Sequence, residues 1–343
     1  MSRLLLALCL LLAPALHAQQ PAAPGRSVVF AAADSEAIAQ FEERPAITRR
    51  MVDQLVLATT RQPDVARAWR SLVAPADRVG IKISAAGGRY FSTHRGIVEA
   101  VIAGLAQADI PRERIVIWDR DLNDLRNAGF TPRVAGCAVQ AIDPPRGFDR
   151  EATFSAASLG RLIWGDLLFR KKRRASTDSD ELSSTSHLAR ILTRGVTKII
   201  NLPMLAEDPA CGVRGALYNV TVPNVDNWRR FTQPGGRGAA GIAALYADER
   251  VGPKVVLHLM DGLLAQYAGG PRFDPNYAFA HATLYASKDP VALDATALRL
   301  LEPWRKEAKL PPIGPRAEWL QAAAELGLGH FHEEEIDLVA VAR

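Results

Sequence analysis

The sequence predicts an α/β fold with a mixed, mostly parallel sheet and helices on both faces. Short apolar runs that are typical of buried strands, such as Val79–Ile83 and Thr197–Leu202, recur along the chain. Longer segments with helical spacing lie between them. In the segment that opens near Thr93, for example, Ile97 and Val101 fall on one face of a helix. Strands that alternate with helices are typical of a sheet covered on both sides.

The same two patterns predict the following elements, in chain order. Strands are predicted at 27–30, 79–83, 114–118, 197–202, 254–260, 283–286 and 336–341, and helices at 47–58, 63–72, 93–110, 122–128, from 289 and at 316–326. Gly129 suits the C-terminal cap of the helix before it, because glycine adopts the left-handed conformation easily. Asp289 suits an N-cap, and Pro290 suits the first helical position.

The composition is that of an ordinary globular protein. The 343 residues are 48% hydrophobic and 23% charged, and 42 Lys+Arg against 37 Asp+Glu give a net charge of +5. These values exclude a disordered chain, a collagen-like chain and a coiled coil. The basic residues do not form a stripe with interleaved aromatic residues, so no nucleic acid is expected as a partner.

The amino-terminal segment has the pattern of a secretory signal peptide. Arg3 precedes an apolar run from Leu4 to Leu16, and the small residue Ala18 follows. The run is shorter than the roughly 20 residues that span a bilayer. We therefore expect residues 1–18 to be a signal peptide and residues 19–343 a single α/β unit. The mature protein is expected to be periplasmic or secreted, without a transmembrane anchor.

A polar stretch interrupts the alternation of strands and helices. The basic cluster 170–174 is followed by a run rich in Ser, Thr and Asp. Such composition predicts a mobile, exposed loop near 170–186 that divides the unit into two halves. The alternative interpretation is a patch that binds an anionic surface.

The cysteines limit the cofactors. Cys137 and Cys211 remain after removal of the signal peptide, and they form either a disulfide or two buried free thiols. No Cys-x-x-Cys pair is present, so neither an iron–sulfur cluster nor a structural zinc is expected.

Polar residues follow several of the predicted strands. Ligands of open α/β sheets bind at the carboxyl ends of the strands. We therefore expect Asp119, Asp261 and Asp289 to approach one another there, each close to like charge. The alternatives are that Asp289 is only an N-cap and that Asp261 belongs to a turn. His94 is either part of the same edge or a surface histidine, and His258 fits the core of its strand.

Six segments resemble the domain of unknown function 362 family. They are DRVGIKISAAGG (77–88), RIVIWDRDLNDLRNAGF (114–130), KIINLPML (198–205), CGVRGALYN (211–219), VVLHLMDGLLAQYAGGP (255–271) and LYASKDPVALD (284–294). The resemblance implies one α/β unit of unknown activity, often in exported bacterial proteins. The polar positions that match the family are Lys82, Asp119, Asn219, His258, Asp261, Asp289 and Asp294. Of these, Lys82, Asp119, Asn219, Asp261 and Asp289 are the candidate catalytic residues.

The chain departs from the family pattern at several polar positions. Ala206, Glu207 and Asp208 stand where the family has Lys, Asp and His, and Tyr218 replaces a Lys while Arg214 replaces a Thr. One interpretation is an exported enzyme with an acidic site that acts on a small-molecule or anionic ligand. The other is a non-catalytic ligand-binding or interaction protein that has lost the site's Lys and His. The sequence identifies neither a cofactor nor the oligomeric state.

We predict that the mature protein begins near Gln19 and is found outside the cytoplasm, because the apolar run is short and is followed by the small residue Ala18. N-terminal sequencing of protein from each cell fraction measures this. An intact Met1 terminus in the membrane fraction would contradict the prediction.

Overall fold

A computed structural model describes residues 25–130, 132–142, 146–161 and 182–342. The predicted signal peptide lies outside these residues, as does most of the predicted loop at 170–186. Residues 182–186 are described. They form the start of a strand and include the buried Ser186, so the prediction of an exposed loop is wrong there. None of the helices in the described ranges is both long and apolar enough to cross a membrane.

The described residues form fifteen strands and eight α-helices. The strands are β1 (Ser27–Ala33), β2 (Ile38–Ala39), β3 (Glu42–Glu43), β4 (Val79–Ile83), β5 (Ile115–Asp119), β6 (Arg133–Val134), β7 (Cys137–Ala141), β8 (Phe148–Arg161), β9 (Leu182–Ala189), β10 (Lys198–Leu202), β11 (Met204–Asp208), β12 (Gly212–Val213), β13 (Val255–Gln266), β14 (Ala278–Ser287) and β15 (Ile336–Ala340). The helices are α1 (Pro45–Thr60), α2 (Val65–Arg70), α3 (Arg95–Gln107), α4 (Leu122–Asn127), α5 (Ala216–Thr221), α6 (Ala240–Tyr246), α7 (Pro290–Glu307) and α8 (Trp319–Glu325).

The main sheet has the strand order β15-β1-β14-β13-β10-β4-β5-β7-β6. Strands β13, β10, β4, β5 and β7 are parallel to one another. Strand β14 is antiparallel to both of its neighbours, β13 and β1. The predicted mixed, mostly parallel sheet is therefore confirmed. Strands β8 and β9 pair separately as an antiparallel hairpin.

Helices cover both faces of the sheet, as the alternating pattern predicts. One apolar cluster packs α1, α2 and α3 on the first face, with Leu55, Trp69 and Ile97 fully buried. The other packs α5, α6, α7 and α8 on the opposite face. Cys137 belongs to the first cluster and Cys211 to the second, and both are free thiols. The alternative of two buried free thiols therefore describes the structure, because the sheet separates the two cysteines.

A buried carboxylate caps helix α5. Asp294, in the first turns of α7, is fully buried and accepts hydrogen bonds from the backbone N–H groups of Ala216 and Leu217. Gly215 permits this approach, since a Cβ atom there would lie 1.9 Å from the Asp294 carboxylate. Burial raises the pKa of Asp294 to about 7 despite the two hydrogen bonds.

This raised pKa predicts a pH-dependent contribution to stability. In the unfolded chain the Asp294 carboxyl loses its proton near 3.8, but in the folded protein it holds the proton until about pH 7. The folded state therefore binds more protons across this window, and the contribution of Asp294 to stability falls as pH rises through it. Denaturant unfolding of the wild type and of Asp294→Asn measures this. The free energy of unfolding of the wild type, relative to that of the variant, should fall from about pH 4 to about pH 7 and stay level above it. A stability difference that stays constant with pH would contradict this.

Candidate functional site

Four buried side chains form a row across the sheet beneath α5. Trp118 is paired with Lys82 in the register of β5 and β4, Lys82 with Asn201 of β10, and Asn201 with His258 of β13. Residues paired in this way lie on the same face of a sheet. All four are nearly or fully buried. Three of them are polar, so each must find hydrogen-bond partners inside the protein.

The Lys82 amine uses all three of its donors internally. Its Nζ donates to Asp119 Oδ1 at 2.7 Å, to Asn219 Oδ1 at 3.2 Å and to the Ile83 carbonyl at 2.5 Å. Burial lowers the pKa of the Lys82 amine, although the Asp119 carboxylate opposes that change. Three of the predicted site residues, Lys82, Asp119 and Asn219, are thus brought together. Together with the Ile83 carbonyl, Asp119 and Asn219 satisfy the amine completely.

Asn219 extends these contacts along the row. Its Nδ2 donates to Asn201 Oδ1 at 2.8 Å, and Asn201 Nδ2 lies 2.9 Å from His258 Nδ1. His258 Nε2 lies 3.1 Å from the Tyr246 hydroxyl. Burial lowers the pKa of His258 to about 3, so the ring is neutral and its Nδ1 accepts from the amide. His258 is a core histidine, as its place in the predicted strand suggested.

Asp119 lies at the carboxyl end of β5, where it contacts the loop after β4. Its Oδ2 accepts a hydrogen bond from the Ala85 N–H at 2.7 Å, while its Oδ1 accepts from Lys82. The expectation that this carboxylate is held near like charge is wrong, because its nearest charged partner is an ammonium group.

A second cluster lies at the start of α3. His94 Nδ1 is 2.7 Å from Asp261 Oδ2, and the His94 backbone N–H donates to the same oxygen at 2.7 Å. Asp261 is fully buried, whereas the His94 side chain is 10% exposed. Because a carboxylate can only accept, the Nδ1 atom carries the proton. The Nε2 atom makes no hydrogen bond within the described part of the chain.

Glu43 completes this cluster from the short hairpin of β2 and β3. Its Oε2 accepts from the Gly96 N–H at 2.8 Å, and its buried Oε1 has no hydrogen-bond partner. Gly96 leaves room for it, since a Cβ atom there would lie 2.4 Å from Glu43 Oε1. Burial raises the pKa of Glu43, and His94 offsets this only in part. Burial lowers the pKa of His94, but Asp261, helped by Glu43, outweighs it and raises the pKa above its usual value.

Both carboxylates also serve α3 as caps. The N-cap residue His94 makes no side-chain capping bond of its own. The first free N–H groups of α3 therefore go to Asp261 and Glu43, which come from distant segments. Negative charge at a helix N-terminus is also favoured by the helix dipole. The cluster is therefore held in place from three separate parts of the chain.

Asp261 lies at the carboxyl edge of the parallel strands, where the strand-end argument placed it, but Asp289 does not. Asp261 lies within β13, which continues to Gln266, and so it is not in a turn. Three strand spacings separate β13 from β5, so the strands that carry Asp261 and Asp119 lie about 14 Å apart across the sheet.

Asp289 lies at the opposite edge of the sheet, so its predicted convergence with Asp119 and Asp261 is wrong. The reason is that β14 is antiparallel to β13, and its carboxyl end meets the amino ends of the parallel strands. Four strand spacings, about 19 Å, also separate β14 from β5. Asp289 caps α7 through the Ala292 N–H and contacts Ser27 and His330. The N-cap alternative for this residue is confirmed.

Three of the positions that depart from the family pattern contact one another. Arg214 donates to the Tyr218 hydroxyl at 2.7 Å and lies 3.4 Å from Asp208 Oδ2. Glu207 is buried, and its Oε1 lies 2.6 Å from Arg316 and 3.4 Å from Arg305. Asp208 and Tyr218, which stand where the family has His and Lys, are thus both held by Arg214. The buried Arg214 Nε and Glu207 Oε2 atoms, in contrast, have no hydrogen-bond partner among the described residues.

Two site residues had no adequate sequence signal. Glu43 lies in a two-residue strand that no run of apolar residues announces. Asn201 has only a weak signal. It is a single polar residue inside an apolar strand, and a buried polar residue of this kind needs hydrogen-bond partners. No group of three or more His, Cys, Asp or Glu side chains in the described ranges is arranged to hold a metal ion.

The chain belongs to the family described as domain of unknown function (DUF362), whose model matches residues 79–299. This range covers more than half of the chain and includes Lys82, His94, Asp119, Asn219 and Asp261. No curated relative matches the chain.

Among solved structures, a crystal structure of a protein from Thermotoga maritima, a Northeast Structural Genomics Consortium target, is similar with a TM-score of 0.42 and 9% identity. The similarity covers 80% of this chain and 61% of that one, so this chain spans less than two thirds of that protein's length.

We predict that Lys82→Met destabilises the protein by about 3–5 kcal/mol, because Asp119 is then left buried without its counter-ion. The double variant Lys82→Met/Asp119→Asn should lose less, since it removes both charges. Denaturant unfolding measures the differences. Arg70→Met is the control, because it breaks an exposed ion pair with Asp109 and should cost at most about 1 kcal/mol. Equal losses for Lys82→Met and Arg70→Met would contradict the prediction.

Proposed function

We propose that the protein is an exported enzyme whose acid–base site is formed by His94, Asp261 and Glu43. The observation that carries this proposal is the 2.7 Å contact between His94 Nδ1 and Asp261, which fixes the ring of a partly exposed side chain and leaves Nε2 without a hydrogen bond among the described residues. A histidine oriented by a carboxylate is a common general acid or base. The predicted signal peptide supports export.

The proposed proton transfer follows from the contacts of the two ring nitrogens of His94. With the Nδ1 proton held by Asp261, Nε2 has the lone pair that removes a proton from a substrate group. The imidazolium ion that forms is stabilised by the Asp261 carboxylate, which is the cause of the raised pKa of His94. After the reaction step, the same Nε2 atom returns the proton. The reaction class supported by this geometry is proton transfer to or from a polar group of a small molecule.

Glu43 contributes a second titratable group. Because burial raises the pKa of its carboxyl, Glu43 keeps a proton to higher pH than an exposed glutamate does. Its neighbour His94 is held toward the charged form by the two carboxylates. The cluster therefore places one imidazole and one carboxyl with raised pKa values side by side, and acid–base catalysis uses such positioned titratable groups.

Lys82, Asp119 and Asn219 are positioning residues in this proposal. A lysine with a lowered pKa is a candidate base or nucleophile. The Lys82 amine, however, is fully buried and donates to three oxygen atoms. These contacts hold β4, β5 and α5 together beside the loop that carries His94.

A second candidate function is non-catalytic ligand binding. The observation that favours it is the self-contained cluster of Arg214, Tyr218 and Asp208 at positions where the family has other residues. In this case His94, Asp261 and Glu43 serve only to cap α3. Turnover that depends on His94 is expected only for the first function, since the second has no turnover.

Turnover by the purified mature protein tests the proposal. Chromogenic esters, amides and phosphoesters are suitable substrates, because each reaction moves a proton. His94→Gln should reduce the rate by about 10²–10⁴-fold, the usual contribution of a general acid or base. His187→Gln is the matched control. His187, in β9, makes the same pair of contacts with Asp226 and lies away from the cluster. Its rate should equal that of the wild type.

The pH profile gives an independent readout. Since Asp261 raises the pKa of His94, Asp261→Asn should move the His94 titration, followed by NMR, to lower pH. Equal turnover in the wild type and a folded His94→Gln variant would refute the catalytic role. Ligand binding without turnover would support the second function.

A further inference from the structure

Three exposed or half-exposed aromatic rings are in contact through Phe273, and two of them lie in the segments that carry Glu43 and His94. Phe41 is 39% exposed and Tyr90 is 41% exposed, and both contact the half-buried Phe273. The ring centroids of Phe41 and Phe273 are 5.8 Å apart, and those of Tyr90 and Phe273 are 5.5 Å apart. We call these three residues the aromatic rim. They come from three separate segments of the chain.

The backbone under Phe41 is strained. Gln40 and Phe41 have φ values of 53° and 63°, and they form the two-residue turn between β2 and β3. Turns of this kind favour Asn-Gly, because a bulky side chain is disfavoured in the left-handed region. Phe41 therefore opposes stability through its backbone conformation, although its ring packs edge-on against Phe273. Such strain is found mainly where function requires it.

Two of the three rim residues, Phe41 and Tyr90, lie in segments that carry the acid–base cluster. Glu43 follows Phe41 by two residues in the hairpin, and it is anchored to α3 through Gly96. Tyr90 lies in the loop that ends at His94, and its neighbour Arg89 is paired with Glu42 at 3.1 Å. The hairpin and the loop are thus joined on both sides of the cluster.

We infer that the aromatic rim binds the aromatic ring of a small-molecule substrate and directs its reacting group toward His94. This inference rests on the proposed function, because it assigns a substrate class to the same site. Exposed aromatic side chains bind a planar ring through offset and edge-to-face contacts. The Arg89 guanidinium lies 5.4 Å from the Tyr90 ring centroid, which holds that ring in place through a cation–π contact.

Saturation-transfer NMR with benzamide tests the inference, with cyclohexanecarboxamide as the non-aromatic probe. Benzamide should bind the wild type, and both Phe41→Gly and Tyr90→Ala should weaken it about fivefold, the size of an aromatic contact. Because glycine suits the turn, Phe41→Gly should also raise Tm by about 2–4 °C. A ring that only stabilised the fold would lower Tm when removed.

Two further variants separate the inference from the proposed function. Leu326→Ala changes an exposed apolar residue that follows α8 on the other face of the sheet, and it should alter neither binding nor Tm. His94→Gln should keep benzamide binding while it loses turnover. Turnover that depends on His94 but not on Phe41 would overturn the inference and leave the proposed function standing. Benzamide binding that depends on Phe41, without turnover, would support the rim as a ring-binding surface. The same result would refute the proposed enzymatic function.

The remaining explanation of the exposed rings is an interface between two copies of the chain. Sedimentation of the wild type and Phe41→Gly measures the oligomeric state of each. A wild-type dimer that dissociates in Phe41→Gly would overturn the inference, because the rim would then be an interface between two copies of the chain. Equal binding of benzamide to the wild type and Phe41→Gly would also overturn it.

Discussion

The pairing of the buried Lys82 amine with Asp119 is the interaction on which the carboxyl edge of the sheet depends. An ammonium group in the protein interior costs several kcal/mol unless a counter-ion and hydrogen bonds compensate for it. Lys82 therefore holds Asp119 at the end of β5 and Asn219 in α5. Through Asn201, the same contacts reach His258 in β13. One buried charge thus connects four parallel strands and the helix above them.

The loop after β4 carries this constraint toward the proposed acid–base cluster. The loop starts beside Asp119, where the Ala85 N–H donates to the carboxylate. Near its end, Thr93 donates to the Leu202 carbonyl of β10 and accepts from the Ser84 N–H. The next residue is His94. The position of the imidazole is therefore set by strand-end contacts on one side and by Asp261 on the other, and neither depends on the exposed surface.

The direction of one strand decides which carboxylates share an edge. Asp261 and Asp289 both follow apolar β-type runs, yet β14 is antiparallel to β13 and carries Asp289 to the far edge. There Asp289 joins Ser27 and His330, and it ties the first strand to the start of α7. The two carboxylates therefore have separate roles. Asp261 orients a histidine, whereas Asp289 joins the ends of the described chain.

The sequence by itself determined the fold class, seven strands of the main sheet and the caps at Asp289 and Gly129, because these features depend on periodicity and on neighbouring residues. It also identified Lys82, Asp119 and Asn219 through family-like segments. It did not predict the hairpin of β8 and β9 or helices α5 and α6. Only the tertiary structure decided the direction of β14, since an apolar strand pattern is the same in both directions. The tertiary structure also joined Glu43 and Asp261 to His94. Their contacts join residues far apart in the chain, and no local spacing encodes such distances.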